Sequence, residues 1–223
     1  MSTSGPSAKS ALRATIRARR TARVDASRAD DEGAPGVYAA HVAELVRSMR
    51  PAAVVGYAAL PGEPSLDAAL RMLLRTQTPV LLPATRKGEP LQLGQVTGPL
   101  DDLPRGTWDI REPADPLPAP EALGQVPDAD AAGDGETILV LVPGLSYDTR
   151  GIRLGNGGGF YDRTFGPQGQ FADGPLERLR ARLRFVGVCW DEERTDGLPR
   201  AAWDLTVRAV LTETGTHLVS SDT

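Results

Sequence analysis

Residues 137–165 read TILVLVPGLSYDTRGIRLGNGGGFYDRTF, and the first six of them set the fold class. Thr137–Val142 is an uninterrupted apolar run with no alternation, the pattern of a strand covered on both faces and hence of a parallel sheet between helices. A glycine-dense loop comes next, and after it an aromatic, acidic and basic cluster. Glycine at 155, 157, 158 and 159 permits backbone conformations that a side chain would forbid and lets neighbouring N–H groups converge, which is what a phosphate needs. In open α/β sheets ligands sit beyond the carboxyl ends of strands, and this loop comes after such an end.

The same rhythm repeats to either side. Ala53–Leu60 (AVVGYAAL) reads as a buried strand stopped by Pro61–Pro64. Leu66, Ala69, Leu70, Leu73 and Leu74 have helical spacing between Ser65, the expected cap, and Thr76. Pro79–Pro83 and Leu91–Val96 read as further strands, residues 175–184 as a helix, and 185–190 and 205–211 as the last strands. Toward the N-terminus, residues 37–49 form a helix ended by Pro51, preceded by an Asp- and Gly-rich loop near 30–36. Residues 7–23 form another, with Ser7 as cap and Leu12 and Ile16 on one face. Lys9, Arg13, Arg17 and Arg20 share a face of that helix. This face is either solvated or supplies Lys9 and Arg13 to a polyphosphate. The prediction is a single α/β/α sandwich domain spanning 1–223 with a largely parallel central sheet, flexible tails at 1–6 and 216–223, and a mobile Pro/Ala/Asp/Gly-rich loop at 114–136.

Composition narrows the function classes. Of 223 residues, 40% are hydrophobic and 24% charged, with net charge −4, so no global basic field invites nucleic acid. The one cysteine, Cys189, excludes an internal disulfide and is expected as a buried thiol. No window approaches the roughly 18 apolar residues of a membrane span, and the N-terminus lacks an apolar signal core, so a cytoplasmic protein is expected.

The loop matches neither common phosphate motif. No Lys-Ser or Lys-Thr follows the glycines, and the third glycine falls one residue early for a dinucleotide fingerprint. Its neighbours carry the chemistry instead: Arg153 enters, Tyr161 and Asp162 leave, and Arg163 comes after them. An acid beside a phosphate is repelled unless a cation joins them, so Asp162 faces Mg²⁺ or else serves as an acid in the first turn of the helix beginning near Phe160. Asp204 is a second, weaker candidate, and Glu63 follows a strand on the same expected rim.

The run VPGLSYDTRGIRLGNGGGFYDR (142–163) resembles the signature of the 5-formyltetrahydrofolate cyclo-ligase (methenyltetrahydrofolate synthetase) family. Further matches lie in order at 7–20, Tyr57 to Glu63, Leu82-Pro83, 108–113 and Trp203-Asp204 to Glu213. The resemblance implies an α/β/α sandwich that closes 5-formyltetrahydrofolate to 5,10-methenyltetrahydrofolate with ATP and Mg²⁺, through phosphorylation of the formyl oxygen. It implies ATP contacts at Lys9, Arg13 and from Arg153 through Leu154, Gly155, Asn156, Gly157, Gly158, Gly159 and Phe160 to Tyr161. Folate contacts are implied at Ala58, Glu63 and Asn156–Phe160, with metal ligands at Asp162 and Asp204. No covalent nucleophile, nucleic acid or membrane partner is implied, and a monomer is expected. The chain departs from the family at Asn156 and Gly158, where other members carry basic residues, at Trp203, where a polar residue precedes the acid, and at Ala58. The alternative is a non-catalytic or differently specific nucleotide- or folate-binding paralogue.

Overall fold

A computed structural model describes residues 6–27, 36–128, 136–172 and 174–220. The expected loop near 30–35, residues 129–135 of the expected 114–136 loop and the extreme tails lie outside the described residues. Among the described residues no helix is long and apolar enough to cross a membrane.

At the centre is β5 (Ile138–Pro143), the uninterrupted apolar run. It pairs in parallel with β1 (Ala53–Val55) and β8 (Leu183–Val188). Outside these, β2 (Val80–Ala84) joins β1 and β10 (Ala209–Thr212) joins β8, again in parallel. Antiparallel strands finish both edges: β3 (Gln92–Gln95) and β4 (Leu117–Pro118) beyond β2, and β11 (Gly215–Leu218) beyond β10. The eight-strand order is β11-β10-β8-β5-β1-β2-β3-β4.

Successive side chains of β5 point to opposite faces, and the two faces hold separate cores. Leu139 and Leu141 pack with Tyr38, Val42, Leu70 and Leu73, from α2 (Val37–Met49) and α3 (Asp67–Arg75). Ile138, Val140 and Val142 pack with Leu123, Phe165 and Phe171 on the other face, under α4 (Ala119–Gly124) and α5 (Phe160–Phe165). This is the layered α/β arrangement with a mostly parallel sheet that the periodicities predict. Cys189 is fully buried, as expected.

Several boundaries differ for physical reasons. The predicted strand at 53–60 stays in the sheet only to Val55; beyond it the chain peels away while Tyr57 and Ala58 remain buried. The first helix, α1, already includes Pro6 and runs to Ser27, so Ser7 lies inside it and is not its cap. Leu66 holds the cap position of α3, and Ser65 Oγ only accepts a bond from the Asp67 N–H at 3.3 Å. The region predicted as mobile loop contains β4 and α4, whose Ala119 and Leu123 are fully buried: enough apolar side chains sit among the prolines to anchor it. The predicted C-terminal tail is corrected likewise, since residues 216–218 belong to β11, which pairs with β10. The helix predicted at 175–184 is shorter, with a 3₁₀ turn (Gly174–Leu176) leading into α6 (Glu177–Arg182) and β8 starting at Leu183.

One further difference positions the site. Between β5 and the glycine loop the chain makes a hairpin of β6 (Ser146–Asp148) and β7 (Arg153–Leu154), which joins β9 (Arg194–Thr195) in a small second sheet. The buried Asp148 carboxylate accepts bonds from the N–H groups of Arg150, Ile152 and Leu198 at 2.9 to 3.0 Å and so fixes the hairpin. The glycine loop therefore does not leave the strand end directly. The hairpin carries it out and back, and Arg153 Nη1 donates to the Pro143 carbonyl at 3.2 Å to close the return.

Candidate functional site

Beyond the carboxyl ends of β1 and β5 lies a cavity of about 870 Å³, within the usual range for small-molecule and cofactor sites. Its walls include α1, the 57–63 stretch after β1, residues 83–91, Trp108 and Ile110, the glycine loop with α5, and residues 199–204. Trp108 and Phe160, edge to face at 5.7 Å between centroids, form an aromatic lip.

The glycine loop needs its glycines for two different reasons. Gly157 and Gly159 have φ of +99° and +67°, the left-handed region disfavoured for other residues. Gly155 and Gly158 have ordinary backbone but no room: a Cβ would lie 2.9 Å from the Arg153 guanidinium and 2.6 Å from the Phe160 ring. The expectation that all four supply unusual backbone conformations is thus met at two of them. Arg163 Nη2 clamps the loop by donating to the Gly158 carbonyl at 2.6 Å.

Charge enters from three sides. Of the α1 face, Lys9, Arg13 and Arg17 line the cavity while Arg20 does not, and each of the three is already bonded. Lys9 Nζ meets Asp204 Oδ2 at 2.7 Å, Arg13 Nε donates to the Gly155 carbonyl at 2.9 Å, and Arg17 Nη2 donates to the Asn156 carbonyl at 2.7 Å. Arg153, buried at the loop entrance, donates through Nη2 to both oxygens of Asp162 at 2.9 Å, and the Leu205 N–H donates to Asp162 Oδ1. Two buried polar atoms here have no protein partner, Arg153 Nε and the Tyr161 hydroxyl, and burial pushes the Tyr161 phenol well above its ordinary pKa. Both residues line the cavity, and an orphaned buried polar atom is costly unless a partner meets it.

Beside the loop, on the stretch that follows β1, sits Glu63. Its oxygens accept bonds from the Leu60 N–H at 3.0 Å, Asn156 Nδ2 at 3.1 Å and Arg20 Nη1 at 3.4 Å. Burial pushes its carboxyl above the usual range, while these donors pull it back down. Ala58, nearly buried, lies beside it on the cavity wall.

Of the residues singled out in the sequence, Lys9, Arg13, Ala58, Glu63, Arg153, Gly155–Asp162 and Asp204 all line this one cavity. Leu154 does not. Its side chain packs in a small core with Ile16, Leu145, Ile152 and Leu198, because alternation along β7 turns it away from Arg153. The sequence reading also missed an ion pair. Arg20, at 4% exposure, is not part of a solvated face: its Nε and Nη2 bond the Glu193 carboxylate at 2.7 Å each, and Nη2 reaches the Gly144 carbonyl at 2.7 Å. The signal for Arg20 was its place on the Lys9–Arg13 face; nothing local marks Glu193 within the acidic run 191–193. Trp203 is 57% exposed at the cavity mouth, beside Asp204 but with its ring outward enough to leave the acid's contacts intact.

Among the described residues no three His, Cys, Asp or Glu side chains group as a metal site. Asp162 and Asp204 nonetheless suit a hard cation shared with phosphate, which needs only one or two carboxylates. Among the described residues, both hydrogen bonds to Asp204 fall on Oδ2.

The sequence model of the 5-formyltetrahydrofolate cyclo-ligase family matches residues 6–213. A 5-formyltetrahydrofolate cyclo-ligase of Mycolicibacterium smegmatis is 32% identical over 164 residues, 71% of this chain and 72% of that protein. The cyclo-ligase of Escherichia coli K12 is 34% identical over a shorter stretch, 33% of this chain and 35% of the relative. Among solved structures, the 5,10-methenyltetrahydrofolate synthetase of Aquifex aeolicus superposes with a TM-score of 0.64 at 22% identity, covering 96% of this chain and 94% of that one. The Mycoplasma pneumoniae synthetase gives 0.59 at 16% identity, covering 92% and 98%, so the fold is shared with both. Matched from α1 to the end of β10, with the cavity-lining segments all inside the match, the chain belongs to the 5-formyltetrahydrofolate cyclo-ligase family.

Proposed function

We propose that this chain cyclises 5-formyltetrahydrofolate to 5,10-methenyltetrahydrofolate with ATP and Mg²⁺, releasing ADP and phosphate. The observation that carries the reading is the convergence on one cavity of the glycine loop, the cations Lys9, Arg13 and Arg153, and the carboxylates Glu63, Asp162 and Asp204. Lys9, Arg13, Arg153 and the loop N–H groups would hold the nucleotide phosphates, with Leu154 contributing through its main chain alone. Asp162 and Asp204 would hold the Mg²⁺, which neutralises phosphate charge. Glu63, Ala58 and the Asn156–Phe160 stretch would hold the folate.

The formyl oxygen is a poor leaving group until it is phosphorylated. Attack of that oxygen on the terminal phosphorus breaks the bond to ADP; attack of the folate's second nitrogen on the formyl carbon then expels phosphate and that nitrogen's proton. The second step is intramolecular, so the protein need only align the reactants and stabilise charge on the transferring phosphoryl group. No side chain acts as a nucleophile: Cys189 is buried and burial pushes its thiol pKa up. The protein is proposed to act as a cytoplasmic monomer on these small molecules.

Incubation with 5-formyltetrahydrofolate, ATP and Mg²⁺ should raise the methenyl absorbance in step with ADP release. Folded protein that gives neither signal refutes the assignment; ADP release with another formamide and not with the folate redirects it to a different substrate.

A further inference from the structure

Glu63 is the cavity carboxylate that Asn156 of the glycine loop reaches, and its burial disfavours its charge. Its side chain is 6% exposed, and its neighbours include the phenols of Tyr57 and Tyr161 and the carboxylate of Glu193. An ionised carboxylate in such a place needs a compensating cation. The cation is Arg20, held by more than its contact with Glu63. Glu193 grips Arg20 Nε and Nη2 with both oxygens at 2.7 Å, and the Gly144 carbonyl takes Nη2 as well. Glu193 Oε2 also accepts the Trp190 N–H at 3.1 Å, and Trp190 Nε1 donates to the Gly62 carbonyl at 2.9 Å. The turn that carries Glu63 is therefore pinned on one side by Trp190 and pressed against Arg20 on the other. At Gly62, with φ +80°, a Cβ would come within 2.9 Å of Arg20 Cβ and 3.0 Å of its carbonyl.

We infer that Arg20 is a positioning residue for folate recognition: anchored by Glu193, it keeps the buried Glu63 carboxylate ionised and oriented for an N–H pair of the pterin ring. This rests on Glu63 being the folate-binding acid. Every group facing Glu63 has a part. Arg20 approaches from α1 and Asn156 from the glycine loop, itself held by Arg17 through its carbonyl oxygens, while burial and Glu193 disfavour the charge and the buried phenols of Tyr57 and Tyr161 stay neutral. Arg20 Nη1 is the nearest full positive charge to Glu63 and donates to the same oxygen, Oε1, as Asn156, leaving Oε2 with only the Leu60 N–H.

The test uses 5-formyltetrahydrofolate binding without ATP, followed by protein fluorescence between about pH 6 and pH 9. Arg20→Met alone strands Glu193 as a buried unpaired charge, so Arg20→Met with Glu193→Gln is the principal variant. The double variant removes both Arg20, which favours the Glu63 charge, and Glu193, which opposes it; Arg20 is the stronger of the two, so Glu63 still protonates at higher pH, by less than loss of Arg20 alone would give. Folate affinity is lost as pH falls through the Glu63 pKa. The variant should therefore bind about threefold more weakly than the parent at the acid end of this range and recover toward it at the alkaline end. Nucleotide affinity should move less than about twofold, because Arg20 touches none of the phosphate-side residues. Glu63→Gln in either background should bind weakly with a flat pH profile. A double variant that is folded and binds folate with the parent's affinity and pH profile overturns the inference; so does equal weakening of folate and nucleotide at every pH, the mark of a purely structural role. If the parent itself binds no folate, the assignment of Glu63 and the proposed function fail, and this is read from the parent alone.

Discussion

Replacing Arg153 with Met tests the charge arrangement at the loop entrance. Arg153 and Asp162 form a pair whose side chains are 6% and 20% exposed, with both carboxylate oxygens within 2.9 Å of Nη2. Removing one member of a buried pair costs about 3–5 kcal/mol, because the other charge stays behind without compensation. Asp162 retains the Leu205 N–H and some contact with water, which places the expected loss for Arg153→Met at the lower end, about 3 kcal/mol. For a chain of this length that lowers the melting temperature by roughly 6–12 °C. Neutralising the partner as well, in Arg153→Met with Asp162→Asn, should return about 2 kcal/mol of it, a coupling of the size seen for residues in direct contact. Thermal melts of the parent, both single variants and the double variant close the cycle. The same samples with saturating ATP read the function: at about a hundred times its dissociation constant a ligand adds about 2.7 kcal/mol to the native state, so the parent's melt should rise and the Arg153→Met melt should rise less. A coupling below about 0.5 kcal/mol would refute the claim that these two side chains act as one buried unit. An undiminished ATP shift would refute the placing of phosphate beside Arg153.

Lys9→Met breaks a partly exposed contact with Asp204, so stability should fall by less than about 1 kcal/mol while ATP affinity drops about tenfold, measured by titration calorimetry against parent protein. ATP binding as tight as the parent's would return Lys9 to the role of a surface tether. Gly159→Ala forces a Cβ into the left-handed position ahead of α5 and toward Arg163 Nη1, 2.7 Å away. A destabilisation of about 1–2 kcal/mol is expected, together with weaker ATP binding as the Arg163 clamp on Gly158 is displaced, and a variant with parental stability and affinity would contradict the reading of this loop.

The parts of the fold legible in the sequence were those written in periodicity: the fully apolar β5, the amphipathic α2 and α3, and the proline-bounded β2. Short elements were not legible, because β4, β9 and α4 owe their existence to partners distant in the chain. Leu117 pairs with Leu93 across an edge, and α4 is held by burial of Ala119 and Leu123, neither of which a local pattern announces. The site divides in the same way. Glycines, Arg153, Tyr161 and Asp162 are contiguous and could be read as one cluster. Arg20 and Glu193 meet across 173 positions of sequence, so their pairing is a product of packing alone.

The cations of this site are not waiting free for phosphate. Among the described residues Lys9 is held by Asp204, Arg13 and Arg17 by carbonyls of the glycine loop, and Arg153 by Asp162. A phosphate that draws one of these cations from its present bond trades one oxygen acceptor for another, so that exchange is close to balanced. The consequence lies in what is released. A phosphate that takes Lys9 leaves Asp204 Oδ2 with the Ala201 N–H alone, and one that takes Arg153 leaves Asp162 with Leu205. Carboxylates and phosphate oxygens then share the same few ångströms of cavity, an arrangement stable only when a further cation arrives with the nucleotide. On the proposed function the α1 face would take part in the site's chemistry: Lys9, Arg13 and Arg17, which tie this polar helix to Asp204 and the glycine loop, are the residues whose partners nucleotide binding would change.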